Sequence, residues 1–600
     1  GLKGSASHQG GLRAGDLGWI TPLDLASGPA LLTGGGAGGG LVLRSPGAGG
    51  SLPVGTALSG TTGVFGTLQH SAVIDLANGN HVVYGGVAGQ TGMVQITFND
   101  AGTIVAKRAV PDLTRTYAAD VAGMAQATLG GKTYLFTASA TEHGVSTWSV
   151  ASNGNLLGIH DMGNPDGLWI SSPTALEKVD LDGRSYLVLA SAGTDSLSVL
   201  RIEASGALTI VDHLLDTRDT RFGAVSAIEV ITYRGQAYVI AGGGDDGITV
   251  LQMLPGGQLV ARATLADTTA MSLDNVSAIA ATGAGDGLDI FVASASEDGI
   301  TRLRYDIGPV GQTLTAAAEG STLSGTLGGD ILTGLNGDDR LNGGQGDDIL
   351  RDGGGQDVMT GGPGADIFVL APDGARDTVT DFEVGVDRID LSAWPMLRSK
   401  DQLTLAMTAT GFTITYGDEV LVVQSATGKT IDHRTLPAAD LMAGARIPQV
   451  ILPGYPGPAM PAPDLPQQPT PAPDQSQLDI AAGVTKIYGI TFRNQRLQAP
   501  NGVIAIGDNR DQTLVGRERH DKLVGRDGND RLDGRGGSDW LYGGNGRDTL
   551  TLGTAASFDA DDSLAQLILH EICHGLVEGT QGWSRPDWGL ENTDERDLVR

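Results

Sequence analysis

The chain has one cysteine in 600 residues, only 5% aromatic residues, and 39 basic side chains against 69 acidic ones. A lone thiol excludes an intramolecular disulfide framework, so any stapling of the fold falls to metal ions. The formal charge of -30 argues against nucleic acid as the main partner. No apolar run approaches the roughly 20 residues of a membrane-spanning helix. The first residues also lack the basic and apolar regions of a cleavable leader. Six hundred residues exceed what one core organises, so several domains are expected.

Glycine is abundant, at 92 residues, and much of it falls in a nine-residue register. Gly325, Gly334, Gly343, Asp352 and Gly361 open five successive units. Asp330, Asp339, Asp348, Asp357 and Asp366 sit five places further on, and Leu332, Leu341, Leu350, Met359 and Phe368 two places after those. The pattern G-G-x-G-x-D-x-U-x is a parallel β-helix repeat with a calcium site built into its turns. Gly328, Gly337, Gly346, Gly355 and Gly364 let each turn adopt positive φ and direct carbonyls inward, while the aspartates add negative oxygen. The apolar residue of each short strand points into the roll. Alternate units lie on opposite sides, so Asp330, Asp348 and Asp366 should stack and share ions, as should Asp339 and Asp357. A flexible all-oxygen cage suits calcium better than magnesium, which demands octahedral geometry, or zinc, which prefers nitrogen and sulfur.

A second array keeps the same step through Gly507, Gly516, Gly525, Gly534 and Gly543 and through Leu514, Leu523, Leu532, Leu541 and Leu550. Asp521, Asp530, Asp539 and Asp548 hold the ligand position, with Gln512 in the opening unit. Arginines at 510, 517, 519, 526 and 535 replace glycines, and a Cβ resists φ > 0. Fewer and looser ions are expected here, centred on Asp530 and Asp548.

Both arrays resemble the RTX, or haemolysin-type, calcium-binding repeats of secreted bacterial proteins. The segment IFVLAPDGARDTVTDFEVGVDRIDL, from Ile367 to Leu391, is similar to the stretch flanking the repeats in the serralysin C-terminal domain. Asp377, Asp381, Asp387 and Asp390 are its matching acids, in a strand pair that caps the roll. The resemblance implies type I secretion, disorder in the calcium-poor cytosol and folding outside the cell.

Apolar hexads recur at a step of 52 residues through the first 315: ALLTGG from Ala30, VVYGGV from Val82, YLFTAS from Tyr134, YLVLAS from Tyr186, YVIAGG from Tyr238 and IFVASA from Ile290. A second alternating strand follows each of the last five after about ten residues. Hairpins at this repeat length have the size of a propeller blade. Six blades are expected, or seven if the first 25 residues add strands, and the region resembles lactonase-like or YVTN-type propellers. His70, His81, His143, His160 and His213 fall at different phases and read as surface or turn residues. Tyr134, Tyr186 and Tyr238 share a phase, as packing between blades requires.

The expected fold is therefore mainly β: a propeller over 1–315, a calcium roll over 320–370 and a flanking β unit over 371–446. A Pro-rich spacer follows over 447–477, then a degenerate roll over 478–551 and a short helical tail over 552–600. In that tail SLAQLILHEICHGLVE puts His570 and His574 four apart on one helix face, able to grip one zinc ion, with Glu571 as general base. The metzincin continuation fails at Val577 and Thr580, and Asp587, Glu591, Asp594 and Glu595 compete as a third ligand. Three functions follow. One is a secreted calcium-dependent binding or scaffold protein whose propeller meets an extracellular ligand. The others are a zinc metallopeptidase and a lactonase-like propeller hydrolase.

Overall fold

The computed structural model describes residues 19–447, apart from 35–39, 46–54, 60, 62–67, 88–90, 114–115, 218, 269–270, 318–319 and 443, and strand segments between 484 and 551. The described chain is mainly β and contains no α-helix. Two compact units divide it, Gly1–Ile451 and Leu452–Arg600.

In the first unit the six hexads become the second strands of six consecutive antiparallel sheets. Four strands each form the first five: residues 19–57, 68–110, 121–163, 173–215 and 227–266. The sixth, over 276–306, has three. Trp19–Leu25 is the opening strand of the first sheet, and no seventh sheet of this kind occurs among the described residues. The opening strands of successive sheets lie side by side.

Each neighbouring pair of sheets encloses its own apolar core. Leu23, Leu32, Val73, Val83, Ile96 and Phe98 fill the space between the first two, and Val179, Val188, Val199, Val239, Leu251 and Met253 that between the fourth and fifth. The third strands of the fourth and fifth sheets, Ser196–Ile202 and Gly247–Met253, are buried on both faces because a sheet packs on either side of them, whereas Ile300–Asp306 of the sixth sheet alternates between exposed and half-buried. The shared tyrosine phase has a geometric cause. Tyr134 lies against Gly206, where an added Cβ would sit 2.7 Å from its ring, and its hydroxyl donates to the Ala204 carbonyl at 3.1 Å. Tyr84 donates likewise to the Gly154 carbonyl at 2.5 Å, and Tyr186 lies against Gly257. Tyr84, Tyr134 and Tyr186 thus each pin the next sheet's hairpin turn, whereas Tyr238 donates to Gln236 of its own sheet at 2.5 Å and packs edge-on against Tyr305.

The chain then enters a parallel β-solenoid. One face stacks Val310–Thr315, Gly329–Thr333, Ile349–Arg351, Ile367–Val369 and Arg388–Asp390. The other stacks Thr322–Ser324, Arg340–Asn342, Val358–Thr360 and Arg376–Phe382 before three further strands. Units 18 residues apart pair in parallel, with Leu332 beside Leu350 and Leu341 beside Met359. All these apolar residues are buried in a core that also holds Phe368, Phe382, Ile389 and Trp394. The strands Arg376–Phe382 and Arg388–Asp390 do not pair with each other, contrary to the expected strand pair. Two-sided winding sends each to a different face of the roll. Thr404–Thr408, Gly411–Tyr416 and Glu419–Ser425 form the flanking β unit as an antiparallel meander, and Glu419–Ser425 joins Arg376–Phe382 in parallel.

The roll is fused to the sheets. Ile331, Ile349, Ile367 and Val369 pack on Leu254 and Val260 of the fifth sheet. Ala445–Arg446 adds a fifth strand to the fourth sheet, opposite Leu214 and Leu215. Arg446 is buried there. Its Nε donates to Asp212 at 3.0 Å and its Nη1 lies 3.4 Å from Asp390, with further bonds to Ser392 Oγ and the Leu259 carbonyl.

The second unit contains a further parallel array. Ile504–Gly507, Lys522–Asp527 and Trp540–Asn545 stack on one side, and Thr513–Val515, Arg531–Asp533 and Thr549–Thr551 on the other. Leu514, Leu523, Leu532 and Leu541 are buried, as the nine-residue pattern requires. The Pro-rich segment from 448 onward and the HEICH tail lie outside the described residues.

Candidate metal centre

Two ladders of aspartates run along the first roll. On one side the backbone N–H of Asp330 donates to Asp348 Oδ1 at 2.7 Å, that of Asp348 to Asp366 at 2.9 Å, and that of Asp366 to Asp387 at 3.0 Å. On the other, Asp339 donates to Asp357 at 2.7 Å and Asp357 to Asp377 at 2.9 Å. The stacking at 18 residues expected from the repeat is therefore present on both sides. Each ladder also extends one rung into the flanking segment.

Asp330 and Asp339 open the ladders with both oxygens engaged. Thr326 N–H donates to Asp330 Oδ2 at 2.6 Å, and Leu335 N–H to Asp339 Oδ2 at 3.1 Å. Further along, Oδ2 of Asp348, Asp357 and Asp366 is buried with no partner. A buried anionic oxygen without a donor is costly. Burial, reinforced by neighbouring acids, pushes Asp348 up to about 7, Asp357 to about 6 and Asp366 to about 8. Asp377 and Asp387 rise for the same reason, to about 7 and about 6.

The turns supply the second kind of oxygen. Gly337, Gly346, Gly355 and Gly364 all take φ between +100° and +151°, where a side chain would be strained. A Cβ on Gly346 would sit 2.6 Å from the Gly328 carbonyl carbon, so the turns stack with no room for one. Gly328 itself is not in the left-handed region and is small because of this stacking alone. Rows of carboxylate oxygens lacking donors, flanked by close-stacked glycine turns, have the donor chemistry of a hard divalent cation. They offer neither the nitrogen nor the sulfur that zinc favours.

Of the acids matched in the flanking segment, Asp377 and Asp387 continue the ladders. Asp381 accepts from Gly361 and Gly362 N–H at 3.0 and 2.8 Å, and Asp390 turns away to Ser392 and Arg446. Asp352, buried beside Asp357 and Asp377, escaped sequence reasoning because it stands at a glycine position. Asp521, Asp530, Asp539 and Asp548 lie outside the described residues, as do His570, Glu571 and His574.

Two of the five histidines expected at the surface or in turns, His81 and His213, are instead buried on strands. His213 is fully buried, bonded through Nδ1 to Ser198 at 2.8 Å, and pushed down to about 4 by burial. His81 lies between Asp75 and Asp100, and His143 Nδ1 accepts the Ser172 N–H at 3.0 Å.

Two family descriptions match the chain. RTX calcium-binding nonapeptide repeats, in four copies, cover residues 506–552, and the peptidase M10 serralysin C-terminal domain covers 333–427. No curated protein matches. Among solved structures, a functionally unknown protein from Desulfotomaculum acetoxidans is 12% identical at a TM-score of 0.32, covering 46% of this chain and 86% of its own. An exo-β-1,3-galactanase from Phanerochaete chrysosporium is 11% identical at a TM-score of 0.27, covering 38% and 57%.

Proposed function

We propose that this chain, a calcium-binding protein by its RTX repeats and serralysin-type segment, is a secreted binding or scaffold protein that folds on calcium outside the cell. Asp330, Asp339, Asp348, Asp357 and Asp366, with the turn carbonyls, hold the ions of the first roll; Asp521, Asp530, Asp539 and Asp548 serve the second. The six sheets close as a propeller that presents the surface for an extracellular ligand. One observation carries the reading: the partnerless Oδ2 atoms of Asp348, Asp357 and Asp366, recurring every nine residues.

Without an ion those carboxylates repel one another and resist burial. With calcium they become ligands, so binding energy is folding energy. A calcium-poor cytosol then keeps the roll open, and an extracellular calcium supply closes it. Export by a type I system agrees with this order of events. The peptidase reading rests on the spacing of His570, Glu571 and His574 and on the apolar residues around them, Leu567, Ile568, Ile572 and Leu576, and the hydrolase reading of the sheets on fold likeness alone.

The test is calcium content by mass spectrometry together with circular dichroism, before and after chelation. Several ions per chain and a reversible loss of β signal on chelation are expected. A chain that keeps its spectrum and binds no calcium would overturn the proposal.

A further inference from the structure

Four of the five units in the first array open on glycine, and the fourth opens on Asp352. That side chain is 1% exposed, and it shares a cluster with Asp357 and Asp377 in which one oxygen of each lies within 4.8 Å of the others. Its Oδ1 accepts N–H from Gly353 at 2.6 Å and from Ala371 at 2.8 Å, which pins the carboxylate between two successive turns. Asp357 is itself 1% exposed, and its Oδ2 is buried with no hydrogen-bond partner. Among the described residues no lysine or arginine forms an ion pair with any of the three. Arg351 interacts with Asp352 only at longer range.

We propose that Asp352, Asp357 and Asp377 form a three-carboxylate cation site, distinct from the two-aspartate sites of the regular repeat, that takes calcium or a trivalent lanthanide. The inference rests on the calcium reading of the roll. In oxygen-ligand loops, affinity follows the number of charged ligands and the rigidity of the cage. This site has one carboxylate more than its neighbours, and backbone donors hold that extra group in place. Asp373 and Glu419 add negative field nearby. It therefore fills first on calcium addition and favours a +3 ion more strongly than the repeat sites do.

The experiment is a calorimetric titration of the whole chelated protein with calcium, repeated with terbium. The variants are Asp352→Asn, which keeps shape, and Asp352→Gly, which restores the residue opening the other four units. Circular dichroism in saturating calcium controls for folding. The native chain should show one step at least about tenfold tighter than the rest, by the charge dependence of calcium loops. Both variants should lose that step, with terbium suffering the larger loss, while Asp348→Asn removes a weaker site and keeps it. If a folded variant at position 352 retains the tight step, this inference fails and the calcium reading stands. If the native chain binds no calcium, both fail.

Discussion

Replacing Arg446 with methionine tests whether the roll and the sheets are joined as described. The guanidinium neutralises two buried carboxylates, Asp212 at 5% and Asp390 at 2% exposure. Removing one member of a buried ionic group costs about 3–5 kcal/mol, because the remaining charges stay desolvated. Asp212 keeps the N–H of Leu259 at 2.8 Å, and Asp390 keeps that of Ser392 at 2.9 Å, which places the loss near the lower end of that range. A loss of about 3 kcal/mol in local opening free energy accelerates amide exchange about 100-fold, each 1.4 kcal/mol being tenfold. The amides to follow are those in the pairing of Leu214–Leu215 with Ala445–Arg446, and Ile447 N–H, which donates to the His213 carbonyl at 3.2 Å. The measurement is hydrogen exchange by mass spectrometry in millimolar calcium. The triple variant Arg446→Met, Asp212→Asn, Asp390→Asn should recover much of the protection, since no buried charge is left unpaired. Exchange within threefold of native in the single variant would refute the reasoning.

Chelated protein should be more stable in acid than at neutral pH. Asp348, Asp366 and Asp377 have raised folded-state values of about 7, 8 and 7, against about 3.9 when unfolded. Their contribution is therefore fully present below pH 4 and is lost as pH rises through 7 to 8. Thermal melts in chelator should fall in midpoint between pH 5 and 8; a rise over that window would contradict the assignment. Calcium binding near pH 6.5 should release protons, seen as a dependence of the calorimetric enthalpy on the ionisation enthalpy of the buffer. Asp366→Asn should lower calcium stoichiometry in mass spectrometry while stabilising the chelated roll at neutral pH, because it removes a carboxyl that must take up a proton to be buried there. Leu350→Ala, fully buried in the roll, should cost about 2–5 kcal/mol in urea denaturation with calcium present.

Sequence and structure agree best where a residue's role repeats. The 18-residue pairing of Asp348 with Asp366 and of Leu332 with Leu350 follows from a nine-residue register with two-sided winding. The tyrosine phase at Tyr134 and Tyr186 was legible as packing because the same tyrosine-on-glycine contact recurs from one sheet to the next. Singular contacts left no such trace. Asp212 and Arg446 are 234 positions apart, and neither belongs to a repeat, so nothing local marks them as partners. Asp352 entered the register only as a unit opener at a glycine position, and nothing in its place in the repeat marks it as a ligand until burial and neighbours are known. The separate directions of Arg376–Phe382 and Arg388–Asp390 were hidden for another reason: two adjacent strands suggest a hairpin unless the winding is imposed on them.

The small strand Ala445–Arg446 also bears on solubility. A sheet edge with unpaired N–H and C=O groups is a template for pairing with another chain, and natural proteins blunt or cover such edges. Leu208–Leu215 is the outer strand of the fourth sheet, and its end at Leu214 and Leu215 is covered by a segment that arrives only after the whole roll has been threaded. A chain whose roll is open leaves that end bare. If calcium closes the roll, as proposed, it also closes a route to self-association.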